Sequence, residues 1–472
     1  MYSLLFLCVS AFIFSLLLTP LVRNLALKWG FVDMPDHGRK LHDRPIPRVG
    51  GVAIAVAYLV SYLAVWLAGL HGGELMMQGG LAIALRVAPA AGLIFAIGLW
   101  DDLRGVTAWQ KLLAQVIAAV IVYFAGVHIH GFGGLALGDY WELPLTVFWL
   151  VLCTNAVNLI DGVDGLATGV GLFATATTLL AAMLQNNLEL AWAVSPLLGC
   201  LLGFLRYNFN PATIFLGDSG SLLIGFLLGC YSIIWSQKSA TILGMTAPLL
   251  ALAIPLLDTA LAVVRRFLRG QPLFEGDRGH IHHRLLDRGF SPRRVALVVY
   301  GLCTITAICS LCMMYQSFQG VVIVLFCGMA WMGIQHLGYI EFGVVGRMFM
   351  DGAFRRALNT NLALHALEGQ LTDAASADEC WDVIQGSAKN FGFHTIDMTL
   401  AGRMYSYRNG GVPERSWSVR IPLSDGSYVE LTREFEAPSE HSVVAPYADA
   451  LRRTIEPKLG EFDKAKAAIS HG

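Results

Sequence analysis

The chain contains eleven apolar runs that are each long enough to cross a lipid bilayer as an α-helix. A helix needs about 20 mostly apolar residues to span the hydrocarbon core, and this chain is 55% hydrophobic and only 14% charged. The runs lie near residues 2–22, 50–70, 83–100, 112–129, 143–158, 166–184, 190–206, 213–235, 242–264, 295–314 and 319–339. They predict an all-α polytopic membrane protein with about eleven transmembrane helices.

The connectors between these runs differ sharply in basic content. Arg and Lys are abundant in residues 23–48 and 265–294, whereas Lys238 is the single Arg or Lys in the connectors on the other side. By the positive-inside rule the basic connectors face the cytoplasm, which places the N-terminus outside and the C-terminus inside. The first run has no basic segment before it and no small-residue cleavage site, so we expect it to be retained as a span.

Residues 341–472 differ in composition from residues 1–340 and are too polar to span a membrane. They predict a small cytoplasmic α+β domain. Its expected elements are a helix over 347–372, a second helix after the capping box Ser376–Glu379, strands near 417–423 and 428–435, and a helix near 445–458. This order is similar to that of GAF-like sensor modules, and no catalytic constellation is visible in it.

Three apolar runs end in carboxylates or amides on the side that the charge pattern assigns to the cytoplasm. The residues are Asp101 and Asp102 after GLIFAIGLW, Asn158, Asp161 and Asp164 in NLIDGVDG, and Asp218 in FLGDSGS. Burying an ionised carboxylate at the edge of a bilayer is expensive, so such residues are functional candidates. An oxygen-rich cluster of this kind favours Mg²⁺.

Each motif also has a purely structural explanation. An acidic pair can simply end a helix, asparagines can join helices by hydrogen bonds, and the turn at 217–221 can be a helix N-cap. Three such motifs on one side favour a common site.

A fourth motif, His280–Arg284 (HIHHR), could bind Zn²⁺ or contact anionic lipid. Because Arg neighbours accompany its three imidazoles and no Cys lies near them, phosphate oxygens suit it better.

Together, the acidic pair, NxxNxxDGxDGL, FLGDxGS and HxHHRL resemble the polyprenyl-phosphate N-acetylhexosamine-1-phosphate transferases, which form glycosyltransferase family 4. The resemblance covers about residues 1–340. HIHHRLLDRG is similar to the WecA- and TagO-like branch, whereas the muramoyl-pentapeptide branch carries a continuous triple His that is absent here. The C-terminal domain has no counterpart in a typical member.

The resemblance implies a bacterial inner-membrane enzyme with a cytoplasmic active site. It would transfer a sugar-1-phosphate from a UDP-N-acetylhexosamine, expected to be UDP-N-acetylglucosamine, to undecaprenyl phosphate. UMP would be released, and the product would be the lipid-linked first sugar of a cell-surface polysaccharide such as O-antigen. The implied cofactor is Mg²⁺, with Mn²⁺ as a substitute. A second copy of the chain is a candidate partner, and no nucleic acid is expected.

The resemblance also implies roles for the motif residues. Asp218 and Asn158 would bind the metal, and Asp101 or Asp102 would deprotonate or orient the lipid phosphate for direct attack. The expected phosphate-binding residues are Lys111, His280, His282, His283 and Arg284. The expected uridine pocket consists of Asp161, Asp164, Asn208 and Phe215.

Three alternatives stay open at this point. One is the phospho-N-acetylmuramoyl-pentapeptide transferase of peptidoglycan synthesis. Another is an ion-coupled secondary transporter, which would need acids near the bilayer midplane and an inverted repeat. The third is a phosphatidylglycerol-type alcohol phosphotransferase, whose aspartates would lie in one short segment, whereas here they come from three.

Overall fold

The computed structural model describes residues 2–34, 44–68, 81–132, 135–136, 139–237, 246–268, 279–336, 353–388, 391–400, 402–410, 416–434 and 444–459. The chain divides into two compact units, Met1–Tyr339 and Ile340–Gly472. Within the described ranges, eight helices are long and apolar enough to cross a membrane. The predicted polytopic helical class is therefore confirmed, and the predicted number of spans is not.

The first unit is built from helices. They are α1 (Tyr2–Trp29), α2 (Gly50–Leu67), α3 (Leu81–Arg104), α4 (Ala108–Phe124), α5 (Asp139–Ile160), α6 (Leu166–Leu184), α7 (Leu188–Asn208), α8 (Gly217–Gln237), α9 (Thr246–Ala251), α10 (Ala253–Leu268), α11 (Ile281–Asp287), α12 (Pro292–Cys312) and α13 (Gln316–His336). Two short antiparallel pairs accompany them: β1 (Val32–Asp33) with β2 (Ile46–Pro47), and β3 (Gly131–Phe132) with β4 (Leu135–Ala136).

Three predicted spans differ from the observed helices. The α4 helix has 17 residues, and the apolar part of α13 is Ser317–Gly333, so both are shorter than the eight candidate spans. The predicted span 242–264 is broken: residues 242–245 lie outside the described part, and the rest forms α9 and α10. Pro255 explains the break, because it has no N–H for the carbonyl of Ala251 and its ring crowds that carbonyl.

Helix α8 is the most buried of the eight candidate spans. Of its apolar window, 94% is buried, compared with 28% for α1. Its N-terminus is closely approached by α3, since a Cβ added to Gly98 would lie 2.6 Å from the Asp218 carbonyl oxygen. Gly217 begins α8 with φ of +72°, a conformation that favours glycine, and a Cβ there would collide with the Arg48 carbonyl. These glycines let the acidic end of α3 meet the start of α8.

The second unit contains α14 (Ala353–Asp373), α15 (Ala377–Ala388), α16 (Val444–Ile455) and four strands. The strands are β5 (Thr395–Leu400), β6 (Arg403–Arg408), β7 (Ser416–Pro422) and β8 (Tyr428–Glu434). They form an antiparallel sheet in the order β6-β5-β8-β7.

The helix predicted over 347–372 is observed from Ala353, because residues 347–352 lie outside the described part. At the predicted capping box, Ser376 Oγ accepts a hydrogen bond from the Glu379 N–H. The Glu379 carboxylate accepts one from the Ala375 N–H, one residue before the expected donor. The likeness to GAF modules stays a prediction.

Candidate active site

The predicted motifs meet at one polar cavity of about 360 Å³ in the first unit. Its lining includes six aspartates: Asp33, Asp101, Asp102, Asp161, Asp164 and Asp218. Arg48, Asn208, Phe215 and His283 also line it. The cavity therefore joins the ends of α3, α5 and α7 with the start of α8 and with α11, segments that are far apart in sequence.

Lys111 links two of the acidic motifs. Its Nζ lies 2.8 Å from Asp101 Oδ2 and 2.5 Å from Asp218 Oδ2. Thr107 fixes the start of α4 by a capping box with Gln110, and this places Lys111 in the first turn. The three side chains are between 18% and 24% exposed; Asp101 and Asp218 line the cavity, and Lys111 lies behind them.

Asn158 approaches Asp218 from the end of α5. Its Nδ2 donates to Asp218 Oδ1 at 3.1 Å and to Ser221 Oγ at 2.9 Å. The predicted pairing of Asn158 with Asp218 is therefore present, although the amide nitrogen faces the carboxylate. Coordination of a cation by the Asn158 oxygen would require rotation of this amide.

Asp102 caps the N-terminus of α8. Its Oδ1 accepts from the Asp218 N–H at 2.8 Å, and its Oδ2 accepts from the Ser219 N–H at 2.9 Å. The residue is 6% exposed, and Arg48 Nε donates to its carbonyl oxygen at 3.0 Å. A negative charge suits this end of a helix dipole. The geometry thus gives the adjacent carboxylates different surroundings and leaves Asp101 as the more accessible one.

The segment after α5 supplies two further carboxylates. Asp164 Oδ2 accepts from Asn210 Nδ2 at 2.9 Å and from the Ala212 N–H at 3.0 Å, which ties it to the connector before α8. Burial, reinforced by the negative charges of Asp218, Asp102 and Asp164, raises the pKa of Asp161 well above its usual range. A cation bound beside Asp161 would favour its ionised form.

Asn208, at the end of α7, is held by hydrogen bonds to two neighbouring segments. Its Oδ1 accepts from Thr168 Oγ1 at 2.7 Å, and its Nδ2 donates to the Ile214 carbonyl at 3.0 Å. Only 2% of the residue is exposed. Asn208 nevertheless lines the cavity, and one acceptor site and one N–H of its amide remain after these two bonds, so its expected contact with uridine stays a prediction.

Phe215 lies in a backbone segment that is fixed against the start of α2. Its N–H donates to the Pro47 carbonyl at 2.7 Å, and its carbonyl accepts from the Gly50 N–H at 3.0 Å. These bonds hold the residue at the cavity wall, where an aromatic ring can pack against a planar ligand group.

The histidine motif is divided between two environments. His283 lines the cavity, whereas His280 is buried and its Nδ1 lies 3.0 Å from Asp258 Oδ2. Burial lowers the pKa of His282, and with the smaller effects of His283 and His280 and the opposing effect of Asp258 the pKa is about 4. His282 is therefore a neutral imidazole near pH 7.

Arg284 completes the motif. Its Nε donates to the Gly279 carbonyl at 3.2 Å. Of the four predicted phosphate-binding residues in this motif, His283 is the one among the lining residues of the cavity.

Two functional candidates were missed from the sequence. Asp258 organises the start of α11, since its Oδ1 also accepts from the Ile281 N–H at 2.9 Å. An acid inside the apolar segment AIPLLDTALA was the available signal. Arg48 lines the cavity, yet in the sequence it appeared only as one of the many basic residues of a connector.

The donor set fits a hard divalent cation. Carboxylates of Asp218, Asp101 and Asp161 and the Asn158 amide supply oxygen atoms, which Mg²⁺ prefers. Among the described His, Cys, Asp and Glu residues, three ligand atoms lie within 4.8 Å of one another at His128, His130 and Glu142, and not at this cavity. The site thus suits an ion held by one or two protein ligands, with substrate phosphates and water completing the shell.

These features define an integral membrane protein with an acidic, lysine-bridged cleft where its helices end. The model of the glycosyl transferase family 4 matches residues 84–236, which run from α3 to α8 and contain every acidic motif. The chain is 37% identical over 301 residues to a probable undecaprenyl-phosphate N-acetylglucosaminyl 1-phosphate transferase of Bacillus subtilis, covering 62% of this chain and 81% of the relative. The chain therefore belongs to glycosyl transferase family 4, as its motifs predicted.

Two further relatives represent two branches. A decaprenyl-phosphate N-acetylglucosaminephosphotransferase of Mycolicibacterium smegmatis is 36% identical over 318 residues, 62% of this chain and 77% of the relative. A phospho-N-acetylmuramoyl-pentapeptide-transferase of Lactiplantibacillus plantarum is 31% identical over 322 residues, 64% of this chain and 95% of the relative. The N-acetylglucosamine branch is the more similar of these two.

Proposed function

We propose that the protein transfers N-acetylglucosamine-1-phosphate from UDP-N-acetylglucosamine to undecaprenyl phosphate, with release of UMP. The product is the lipid-linked first sugar of a cell-surface polysaccharide. The observation that carries the proposal is the Asp101–Lys111–Asp218 cluster in a cavity at the helix ends. Relatives with 37% and 36% identity, named as N-acetylglucosamine-phosphate transferases, support the choice of sugar.

The reaction brings three phosphate groups together, so the site must offset crowded negative charge. Arg48 and His283 line the cavity, and Lys111 pairs with two of its lining carboxylates, Asp101 and Asp218. Two carboxylates already hold the Lys111 side chain in place, so little conformational entropy is lost when Lys111 binds a phosphate. Asp218 and Asn158 are the proposed ligands of Mg²⁺, which when bound would neutralise phosphate charge and orient phosphate oxygens.

The acceptor needs little help from a base. The second pKa of a phosphate monoester is about 6, so most of the lipid phosphate is dianionic at pH 7. One of its oxygens forms a bond to the β-phosphorus, the bond from that phosphorus to the bridging oxygen breaks, and UMP leaves with the electron pair. We assign the orientation of the acceptor to Asp101, because its side chain is 18% exposed at the cavity and pairs with the charge of Lys111, whereas Asp102 is 6% exposed and caps α8.

The nucleotide is assigned to the part of the cavity near Phe215, Asp161 and Asp164. Phe215 is fixed by its backbone bonds and offers a ring for the uracil, and Asp161 can accept a hydrogen bond from it or from the ribose. We further propose eleven spans with the N-terminus outside. This orientation puts the cavity at the cytoplasmic surface, where a UDP-sugar is available. Association with a second copy stays a prediction.

The test is a substrate panel. Purified protein, undecaprenyl phosphate and Mg²⁺ are incubated with UDP-N-acetylglucosamine, its 4-epimer or UDP-N-acetylmuramoyl-pentapeptide. The lipid product is then identified from its molecular mass by mass spectrometry. We expect product mainly from UDP-N-acetylglucosamine. Product from the muramoyl donor alone would overturn the assignment of the sugar, and no lipid product from any donor would overturn the proposed reaction.

Direct displacement makes a separate prediction. Without the lipid acceptor, UDP-N-acetylglucosamine should release no UMP in the first turnover. A covalent aspartyl intermediate would instead release one equivalent per enzyme. A burst that disappears in Asp101→Asn would contradict direct attack and identify Asp101 as the nucleophile.

A further inference from the structure

A second group of metal-ligating side chains lies at the other end of α4 and α5. His128 and His130 follow α4, and Glu142 belongs to the first turns of α5. Their ligand atoms all lie within 4.8 Å of one another, which among the described residues is true of this group alone. Asn158 is 16 residues further along α5 than Glu142, so at 1.5 Å per residue this group is about 24 Å from the acidic cavity.

Both imidazoles approach the carboxylate of Glu142. Glu142 Oε1 lies 3.2 Å from His130 Nδ1, and Glu142 Oε2 lies 3.6 Å from His128 Nε2. In a tetrahedral Zn²⁺ site with bonds of about 2.0–2.2 Å, neighbouring ligand atoms are about 3.3–3.6 Å apart. The observed separations are close to that edge length but involve different oxygens of Glu142, so the Glu142 carboxylate must adjust for one ion to contact all three residues.

The backbone around the group holds it in place. Val127 and Ile129 are buried, so the alternating side chains of His128 and His130 point to the other face. The Ile129 N–H donates to Thr146 Oγ1 at 3.1 Å, and that hydroxyl donates to the Glu142 carbonyl at 2.6 Å. The connector and the first turns of α5 are therefore fixed relative to each other independently of the imidazoles.

Access and shielding are both suited to an ion. The side chains of His128 and Glu142 are 20% and 14% exposed, whereas that of His130 is 62% exposed. The ring of Tyr123 also packs on His128, with centroids 4.9 Å apart. An ion can enter past His130 while the other two ligands remain ordered.

The ligand types select a different metal from that of the acidic cavity. Imidazole nitrogens suit Zn²⁺ and the other late first-row divalent ions, whereas carboxylate, carbonyl and water suit Mg²⁺. Two His and one Glu provide three protein ligands and leave a fourth position for water. We infer that His128, His130 and Glu142 form a binding site for a divalent transition-metal ion of the Zn²⁺ class, which ties the end of α4 to the start of α5.

The test measures bound zinc directly. Full-length protein carrying a histidine-free affinity tag is stripped with a chelator in detergent, equilibrated with Zn²⁺ and analysed by inductively coupled plasma mass spectrometry. His130→Ala and Glu142→Gln should each hold one equivalent less than the wild type. The affinity of these two variants for Zn²⁺ is measured by competition with a chromophoric chelator. Loss of a residue that only hydrogen-bonds to a metal ligand lowers metal affinity roughly 10- to 100-fold, and loss of a ligand itself should lower it by more.

A matched control separates this site from ordinary surface histidines. His365 is 82% exposed and lies 3.6 Å from Glu368, and among the described residues this His–Glu pair belongs to no group of three ligands. His365→Ala should bind as much zinc as the wild type. The histidines at 280–283 are present in every variant, so any zinc that they bind is the same in each sample. Zn²⁺ should raise the melting temperature of the wild type and of His365→Ala, but not that of His130→Ala. Unchanged zinc content in His130→Ala or Glu142→Gln, or no zinc on the wild type, would overturn the proposal.

Discussion

Asp102→Asn and Asp218→Asn should impair the protein in different ways, although both replace a carboxylate by an amide in the same cavity. The two oxygens of Asp102 accept hydrogen bonds from backbone N–H groups of α8. In the part of the chain that the structure describes, the hydrogen-bond and ion-pair partners of the Asp218 carboxylate are the side chains of Lys111 and Asn158. The first residue therefore supports a helix end, and the second acts through the cavity.

The expected loss of stability follows from these contacts. In Asp102→Asn one acceptor becomes an NH₂ group that faces a backbone donor. Losing a hydrogen bond to a charged group costs about 1.5–3 kcal/mol, and losing the negative charge at the helix N-terminus costs a further ~0.3–1 kcal/mol. We expect the free energy of unfolding to fall by about 2–4 kcal/mol, with loss of activity because Asp218 shifts with the helix end.

Asp218→Asn should behave in the opposite way. Lys111 keeps its ion pair with Asp101 at 2.8 Å, and the pair is partly exposed, so we expect stability to change by less than about 1 kcal/mol. Transferase activity should fall by at least about 100-fold, the scale on which a preorganised electrostatic partner contributes. Raising Mg²⁺ should restore little activity, because the missing ligand also fixes the geometry.

Both variants are assayed by lipid-product formation and by melting temperature in detergent, with Glu189→Gln as the control. Glu189 is an exposed acid in the first turn of α7, at the end of that helix opposite to Asn208, and its amide variant should match the wild type in both assays. A stable but inactive Asp102→Asn would refute the capping argument and give Asp102 a direct role in the reaction. An active Asp218→Asn would refute the proposed metal ligand.

The remaining predictions concern topology, domain organisation and pH. A cysteine at Arg288 should resist an impermeant maleimide added to intact cells while one at Asn186 is labelled, and labelling at Arg288 would remove the cytoplasmic cavity from the argument. Ending the chain after residue 355 should leave transferase activity measurable in detergent, because every site residue lies in the first unit; complete loss with normal expression would show that the second unit shapes the site. The folded pKa of His282 is lowered to about 4 from 6.5, so its contribution to stability is present above pH 6.5 and is lost as the pH falls towards 4. His282→Gln should therefore lose less stability than the wild type between pH 6.5 and 4, as followed by melting temperature, and an identical pH dependence would contradict the neutral buried imidazole.

Several features of the site could not be read from the sequence because they depend on partners distant in the chain. Asp101 and Asp102 are adjacent and look equivalent, yet one pairs with Lys111 and the other caps α8. Asn208 lines the cavity, yet its amide also accepts a hydrogen bond from Thr168 and donates one to the Ile214 carbonyl, which the sequence did not indicate. In each case the identity of the residue gave its hydrogen-bonding capacity, and the neighbouring helix determined how that capacity is used.

The sequence by itself determined the membrane class, the family and the set of acidic motifs, because a bilayer requires long apolar helices and penalises charges that have no function. It also indicated a second, more polar unit after residue 340. Only the tertiary structure decided which motif residues share the cavity. The helix ends that carry them are brought together by packing, although they are 60 to 117 residues apart in the sequence. It showed that Pro255 breaks one predicted span, that Asp258 holds His280, and that two histidines and a glutamate converge far from the cavity. These pairings depend on helix contacts over long sequence separations, which no local pattern records.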